Sequence, residues 1–361
     1  MNHKEVKELV VRHYAKKEPL LILGTTGIGK SQLVRQAAIE IAQKEGLKYS
    51  EGWSDINNPN CFCLIDLRVS DMDRTDLSGY PVPDMENKTM QYFGFEGFPK
   101  NGKGIIFADE LNLAPTSVQK AMYALILDRK LHGYYLPEGY VIVAAGNTFE
   151  DRADIMALPG PLEQRFSIIT LDPPETEEWL EWAGEHKIDP RIMTFIKRLP
   201  DRLFKYSADL MMTTQPIPRQ WEHLSHLIED EESIDFIKNL AIARVGMGAG
   251  IEFYNFLKLS QNIDIEAIFD GKANIPRDID LAYSVMGALA NIFKKDPEGN
   301  WEKAIDVAEK YEKISPEFAV LWIRLVKEYT PEAKLYSLFM KNKKSGDFLS
   351  RYAKYYKAEG K

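Results

Sequence analysis

Apolar residues along this chain follow two different periods, and the change from one to the other divides it. Up to residue 171 short apolar runs recur: Leu20–Leu23, Cys61–Leu67, 104–108, Tyr140–Ala145 and Phe166–Leu171. Runs of this length bounded by turn formers read as buried strands. Between them the spacing turns helical. Val6, Leu9, Val10 and Tyr14 predict a first helix over 4–16, and QLVRQAAIEIAQKEG predicts a second that stops at Gly46. A third runs from Pro115 to Asp128, with Val118, Met122, Leu125 and Ile126 on one face and proline in its first turn. The alternation predicts an α/β fold with a doubly wound parallel sheet. A polar, asparagine-rich loop is expected between Gly46 and Cys61.

Two interruptions have their own pattern. YPVPD and KTMQYF flank Glu86-Asn87 and predict a hairpin inserted between core strands; KLHGYYLPEGY predicts a second, shorter one. After Pro173-Pro174 the strand signals stop. TEEWLEWAGEHK, PRIMTFIKRLPDRLF, PRQWEHLSHLIEDEE and SIDFIKNLAIARVG all have helical spacing, and Pro218 suits a helix start just before Arg219. Further stripes follow: Leu281, Val285, Leu289, Ile292 and Phe293, then Phe318, Leu321, Leu325, Val326 and Tyr329. The expected organisation is an α/β core over 1–173, a helical bundle over 174–253 and additional C-terminal helices over 254–361.

The strand Leu20–Leu23 leads into Gly24, Thr25, Thr26, Gly27, Ile28, Gly29, Lys30 and Ser31, and then into a helix. This is GxxxxGK[ST] in the strand–loop–helix context that a P-loop requires. Its glycines let backbone N–H groups close around phosphate oxygens, and the helix N-terminus adds partial positive charge. Lys30 is expected to reach the β- and γ-phosphates, and the Ser31 hydroxyl to ligate Mg²⁺. The chain is therefore expected to bind a nucleoside triphosphate with Mg²⁺.

The run GIIFADE places Asp109 and Glu110 at the carboxyl end of a buried strand, where open α/β sheets carry their ligands. Asp109 suits a direct or outer-sphere Mg²⁺ partner, and Glu110 a base that orients and polarises attacking water. Asn147 follows the next strand, where an amide could sense the γ-phosphate or water. Arg165 precedes the last strand.

Composition narrows the partners. A net charge of −8 over 361 residues argues against a general nucleic-acid coat protein. The start of the chain lacks an apolar signal core and no run approaches a membrane span, so no membrane association is expected. Cys61 and Cys63 alternate on one strand with no second ligand pair at metal spacing, and read as reduced core thiols of a cytoplasmic protein. His223 and His226 share a helical face without further ligands and read as packing or solvated residues. The final stretch interleaves lysine and arginine with Tyr352, Tyr355 and Tyr356; it reads as an amphipathic last helix, or else as a strand-gripping tail.

Taken together these elements resemble the AAA+ ATPases, most closely the MoxR group, over about residues 1–250. The most specific part is GIIFADELNLAPTSVQKAMYALILDRKLHG, similar to the pattern in which the acidic pair is followed by Asn, Ala-Pro, Gln and a hairpin. The inserted hairpin near Pro81–Phe93 is similar to the helix-2 insert of that clade. The resemblance implies that Asn147 is sensor 1, that Arg165 is an arginine finger acting on a neighbouring subunit's nucleotide, and that Arg219 is sensor 2 on a helical lid. Arg152 is a second candidate for the bridging arginine. The family implies ring assemblies, usually hexamers, and a partner bearing a von Willebrand factor A domain. The helices after about residue 254 have no counterpart in the minimal family pattern.

Two functions follow from this reading. One is an ATP-driven enzyme that remodels or activates a protein client; the other is a nucleic-acid-dependent motor or loader. Net acidity and the lack of a recognisable DNA-reading motif favour the first, and a nucleic-acid partner is not expected.

Overall fold

A computed structural model of the chain describes residues 1–94, 97–148, 160, 164–210 and 213–341. Its packing divides the chain into two units, 1–174 with 207–209, and 175–206 with the residues from 210 onward. Arg152 and the tail with Tyr352, Tyr355 and Tyr356 lie outside the described residues.

The first unit runs α1 (His3–Lys16), β1 (Leu20–Leu23), α2 (Lys30–Glu45), β2 (Lys48–Glu51), β3 (Cys61–Arg68), α3 (Arg74–Ser78), β4 (Tyr80–Asp84), β5 (Thr89–Phe93), β6 (Lys103–Asp109), α4 (Thr116–Asp128), β7 (Lys130–Leu131), β8 (Tyr134–Tyr135), β9 (Tyr140–Gly146) and β10 (Ser167–Thr170). Six strands form one sheet in the order β10-β1-β9-β6-β3-β2, and every neighbouring pair is parallel. Parallel neighbours need crossovers, and the helices that make them cover the sheet, so its central strands are apolar along most of their length. All seven residues of β9 are buried. α2 lays Leu33, Val34, Ala37, Ala38, Ile41 and Ala42 into this core, and α4 lays Val118, Met122, Leu125 and Ile126. This is the doubly wound parallel sheet of a P-loop NTPase, followed by C-terminal helices.

The expected loop after Gly46 contains β2, paired to β3 from Lys48↔Cys61 to Glu51↔Leu64. It is a short edge strand of polar residues, KYSE, without the apolar run that marks the others. Both predicted hairpins are present, β4 with β5 and β7 with β8. The ring of Tyr92 stacks on His132 at 4.2 Å between centroids and so joins one hairpin to the other. Cys61 and Cys63 are buried free thiols, Cys63 Sγ donating to the carbonyl of Asp55 at 3.0 Å. Burial pushes the Cys63 thiol up to about 11.

The second unit is helical: α5 (Thr176–Glu185), α6 (Pro190–Arg198), α7 (Pro218–Leu227), α8 (Ile234–Leu259), α9 (Ile265–Phe269), α10 (Ile279–Phe293), α11 (Trp301–Glu312), α12 (Pro316–Tyr329) and α13 (Glu332–Lys341). One continuous apolar cluster runs from Trp179 through Trp221, Phe253 and Phe293 to Val326. The expected division at 253/254 has no counterpart in this packing. It falls inside α8, whose Phe253 and Phe256 both meet the ring of Phe195 on α6. The spacing ends a helix at Gly246; there the backbone does break, with φ +83°, but the helix resumes to Leu259.

A buried ion pair closes the unit. Arg191 grips both carboxylate oxygens of Asp189 at 2.9 Å and donates to the carbonyls of Ile228 and Glu231. Each charge is thereby paired and hydrogen-bonded, the condition under which burial is tolerable. His223 and His226 are exposed. Among the described residues no helix is long and apolar enough to cross a membrane.

Candidate nucleotide site

Three adjacent strands, β1, β9 and β6, deliver the chemistry at their carboxyl ends. β1 enters the loop at Gly24, whose N–H donates to the Gly146 carbonyl at 3.2 Å. A Cβ on Gly24 would stand 2.9 Å from the carbonyl of Leu171 and 2.8 Å from Ile28 Cδ1, so this approach tolerates only glycine. Gly29 has φ +103° and supplies no capping side chain to α2. A helix start of this kind favours an anion.

Lys30 is buried, and its ammonium donates to the carbonyls of Gly24 and Thr25 and to Asn147 Oδ1, the last at 3.1 Å. Ser31 Oγ donates to Asp109 Oδ2 at 2.9 Å, and the other oxygen of Asp109 accepts from the N–H of Glu110. The Glu110 carboxylate accepts from Ser70 Oγ at 2.7 Å. Glu110 has φ +58°, an uncommon conformation for a residue with a side chain and one that concentrates at functional sites. Lys30, Ser31, Asp109, Glu110 and Asn147 thus form one constellation at the carboxyl edge of the sheet.

Mg²⁺ fits this donor set. It takes hard oxygen ligands and is commonly held by one or two side chains, completed by phosphates and water. The Ser31 hydroxyl and Asp109 carboxylate are two such oxygens at contact distance. Among the described residues no cluster of three or more His, Cys, Asp or Glu could hold a metal by itself.

Asn112 has a role that its sequence position does not disclose. Its amide donates to the carbonyl of Asn147 at 2.7 Å and accepts from the N–H of Asn147 at 3.0 Å. This reciprocal clamp holds the backbone from which the Asn147 side chain projects toward Lys30. A Cβ on Gly146 would lie 2.7 Å from Asn112 Oδ1, so glycine makes the clamp possible. Gln119, also buried, ties α4 to the acidic strand's exit by donating to the Ala114 carbonyl at 3.1 Å. Ser70 likewise lies in a segment whose only sequence signal is a cluster of turn formers.

Arg165 does not join the constellation within its own chain. It is exposed two residues before β10, whose Ser167 pairs with Leu20 at the amino end of β1. The full length of β1 separates it from the loop, on the order of 15 Å at the usual strand rise. There it lines a cavity of about 220 Å³ with Lys17, Glu18, Arg129 and apolar residues of α4 and β9. Arg129 donates to the carbonyls of Pro137 and Tyr140, and burial pushes its guanidinium below the ordinary value. Arg219 belongs to the second unit, where it is exposed in the first turn of α7 behind Pro218.

No family model matches the chain. Solved structures similar to it include a proposed ATPase from Cytophaga hutchinsonii, at 15% identity over 88% of this chain and 78% of that one, with a TM-score of 0.34. Another is NtrX from Brucella abortus in complex with ATP, at 13% identity over 88% and 68%, with a TM-score of 0.35. A mutant RuvB from Thermotoga maritima is similar at 14% identity over 77% and 80%, with a TM-score of 0.35.

Proposed function

We propose that this chain is a Mg²⁺-dependent ATPase of the AAA+ class, of the MoxR group, that assembles into a ring and remodels a protein client. The observation that carries the reading is the hydrogen-bonded set at the ends of three neighbouring strands, in which Lys30 meets Asn147, Ser31 meets Asp109, and Asp109 accepts from the N–H of Glu110. The backbone N–H groups of the loop and the Lys30 ammonium hold the β- and γ-phosphates. Ser31 and Asp109 would hold Mg²⁺, which would supply neutralisation of phosphoryl charge. Glu110 accepts a proton from the attacking water, and Asn147 orients that water or the γ-phosphate.

Arg165 sits too far from its own loop to act in cis, which supports a role on a neighbouring subunit's nucleotide in a ring, hexameric by the family resemblance. Arg219 serves as sensor 2 by the same resemblance. A partner with a von Willebrand factor A domain is part of this reading, as is a cytoplasmic setting, which the two reduced thiols support.

Two variants test the proposal. Lys30→Ala should lose ATP binding, whereas Glu110→Gln should bind ATP and retain it, since its phosphate contacts survive and water activation does not. Undiminished single-turnover hydrolysis by Glu110→Gln would defeat the assignment. The retained-ATP form is also the one from which a co-purifying client should be identified.

A further inference from the structure

The beginning of the chain touches the phosphate loop. Asn2 caps α1: its Oδ1 accepts from the N–H of Glu5 at 2.8 Å, and the Glu5 carboxylate accepts from the N–H of Asn2 at 3.1 Å. This reciprocal pair fixes the first turn. A backbone tie from Asp172 N–H to the Met1 carbonyl, at 3.0 Å, anchors the same segment beyond β10. His3, the first residue of α1, is thereby set against the loop, with Nε2 2.7 Å from the carbonyl oxygen of Ile28. A carbonyl oxygen can only accept, so the imidazole donates from Nε2.

In a trans peptide the C=O of one residue and the N–H of the next point in opposite directions. The ring that holds the Ile28 carbonyl therefore fixes the Gly29 N–H on the opposite side of that peptide, facing away from His3. Gly27 and Gly29 both have positive φ, +73° and +103°. Neither has a side chain to lock its peptide, and glycine peptides reorient easily. The imidazole fills the space a side chain on Gly29 would use: a Cβ there would stand 3.4 Å from His3 Nε2.

We infer that His3 is a positioning residue of the nucleotide site, presetting the Ile28–Gly29 peptide so that the Gly29 N–H donates to a polyphosphate. The inference rests on the reading of the loop as an ATP site. His3 touches no reacting atom; it acts through a backbone donor. Its effect falls on binding of any nucleotide with a β-phosphate, not on the protonation chemistry at Glu110.

The test compares wild type, His3→Ala and His3→Gln for Mg·ATP and Mg·ADP affinity by equilibrium binding, with thermal unfolding of each. His3→Ala should weaken both nucleotides by about fivefold to tenfold, the scale of one lost hydrogen bond. It should raise KM with kcat little changed and leave the melting temperature close to wild type. The Gln side chain carries an N–H donor of similar reach, and should recover most of the affinity. Unchanged affinity in His3→Ala, or a His3→Gln protein as weak as His3→Ala with a normal melting temperature, would overturn the inference while leaving the ATP site in place. A wild-type protein that binds no ATP would remove both.

Discussion

The ammonium of Lys30 and the side-chain oxygen of Asn147 are 3.1 Å apart, a direct bond between residues 117 positions apart in sequence. It joins the strand that carries the phosphate loop to the neighbour inserted between it and the acidic strand. Replacing Asn147 with Ala should leave ATP affinity within a few-fold of wild type and slow single-turnover hydrolysis by about 10²-fold, the usual cost of losing one preorganised polar contact. A rapid-quench comparison with separately measured affinity checks this.

Arg165 gives a prediction about assembly. Arg165→Ala should bind ATP normally and hydrolyse it slowly. Mixed with Lys30→Ala, it should regain activity, because some interfaces then pair an intact loop with an intact arginine. Fingers of this kind contribute about 10³–10⁵ in rate in GTPases, so partial recovery is measurable. No recovery in demonstrably mixed assemblies would assign the role elsewhere.

The clamp between Asn112 and Asn147 can be broken from the glycine side. Gly146→Ala forces Asn112 Oδ1 away from a Cβ that would otherwise stand at 2.7 Å. It should destabilise the first unit by about 1–3 kcal/mol and displace Asn147. Chemical denaturation and turnover should therefore fall together, whereas Asn147→Ala should affect turnover with less loss of stability.

What the sequence discloses about this site, and what it conceals, has a physical basis. Lys30, Ser31, Asp109 and Glu110 are legible because a strand must end where a ligand begins, and the residues at that end follow an apolar run. Ser70 and His3 are concealed, as is the clamp that Asn112 forms even though that residue belongs to the quoted pattern, because their partners are backbone groups or distant side chains, which leave no periodic trace. β2 is concealed for another reason: its four residues are polar, and edge pairing needs no apolar face. In the helices, the stripes around Val285 and Leu325 announce burial, but not that one core would pass through Phe253.

The buried pair of Arg191 and Asp189 predicts asymmetric mutational costs. Arg191→Ala leaves an almost fully buried carboxylate with the backbone N–H of residue 191 and the longer contact to Lys294, at 3.5 Å, but without its guanidinium. The expected loss is about 3–5 kcal/mol. Arg191→Met with Asp189→Leu should cost less, because the buried carboxylate goes with its guanidinium, leaving the lost N-cap and the lost Lys294 contact as the residual cost. Thermal melts of the three proteins decide the point.

The thiols predict a pH response. The Cys63 pKa rises from 9.0 to about 11 in the fold, so the folded chain holds that proton more tightly than the unfolded one. This stabilisation is complete below pH 9 and disappears as pH climbs toward 11. Alkylation of Cys61 and Cys63 near pH 8 should be slow in the native protein and fast after denaturation. Denaturant midpoints should fall across the alkaline window, and less so in Cys63→Ala.

The insertion of β9 between β1 and β6 makes the sheet a ruler. The lateral distance from the lysine's strand to the glutamate's is two strand spacings, on the order of 10 Å, and is set by main-chain hydrogen bonds. No replacement of a side chain on these strands can lengthen or shorten that interval. On the proposed function, tuning of hydrolysis is thereby confined to the loops beyond the strand ends and to what a neighbouring subunit of the proposed ring would supply.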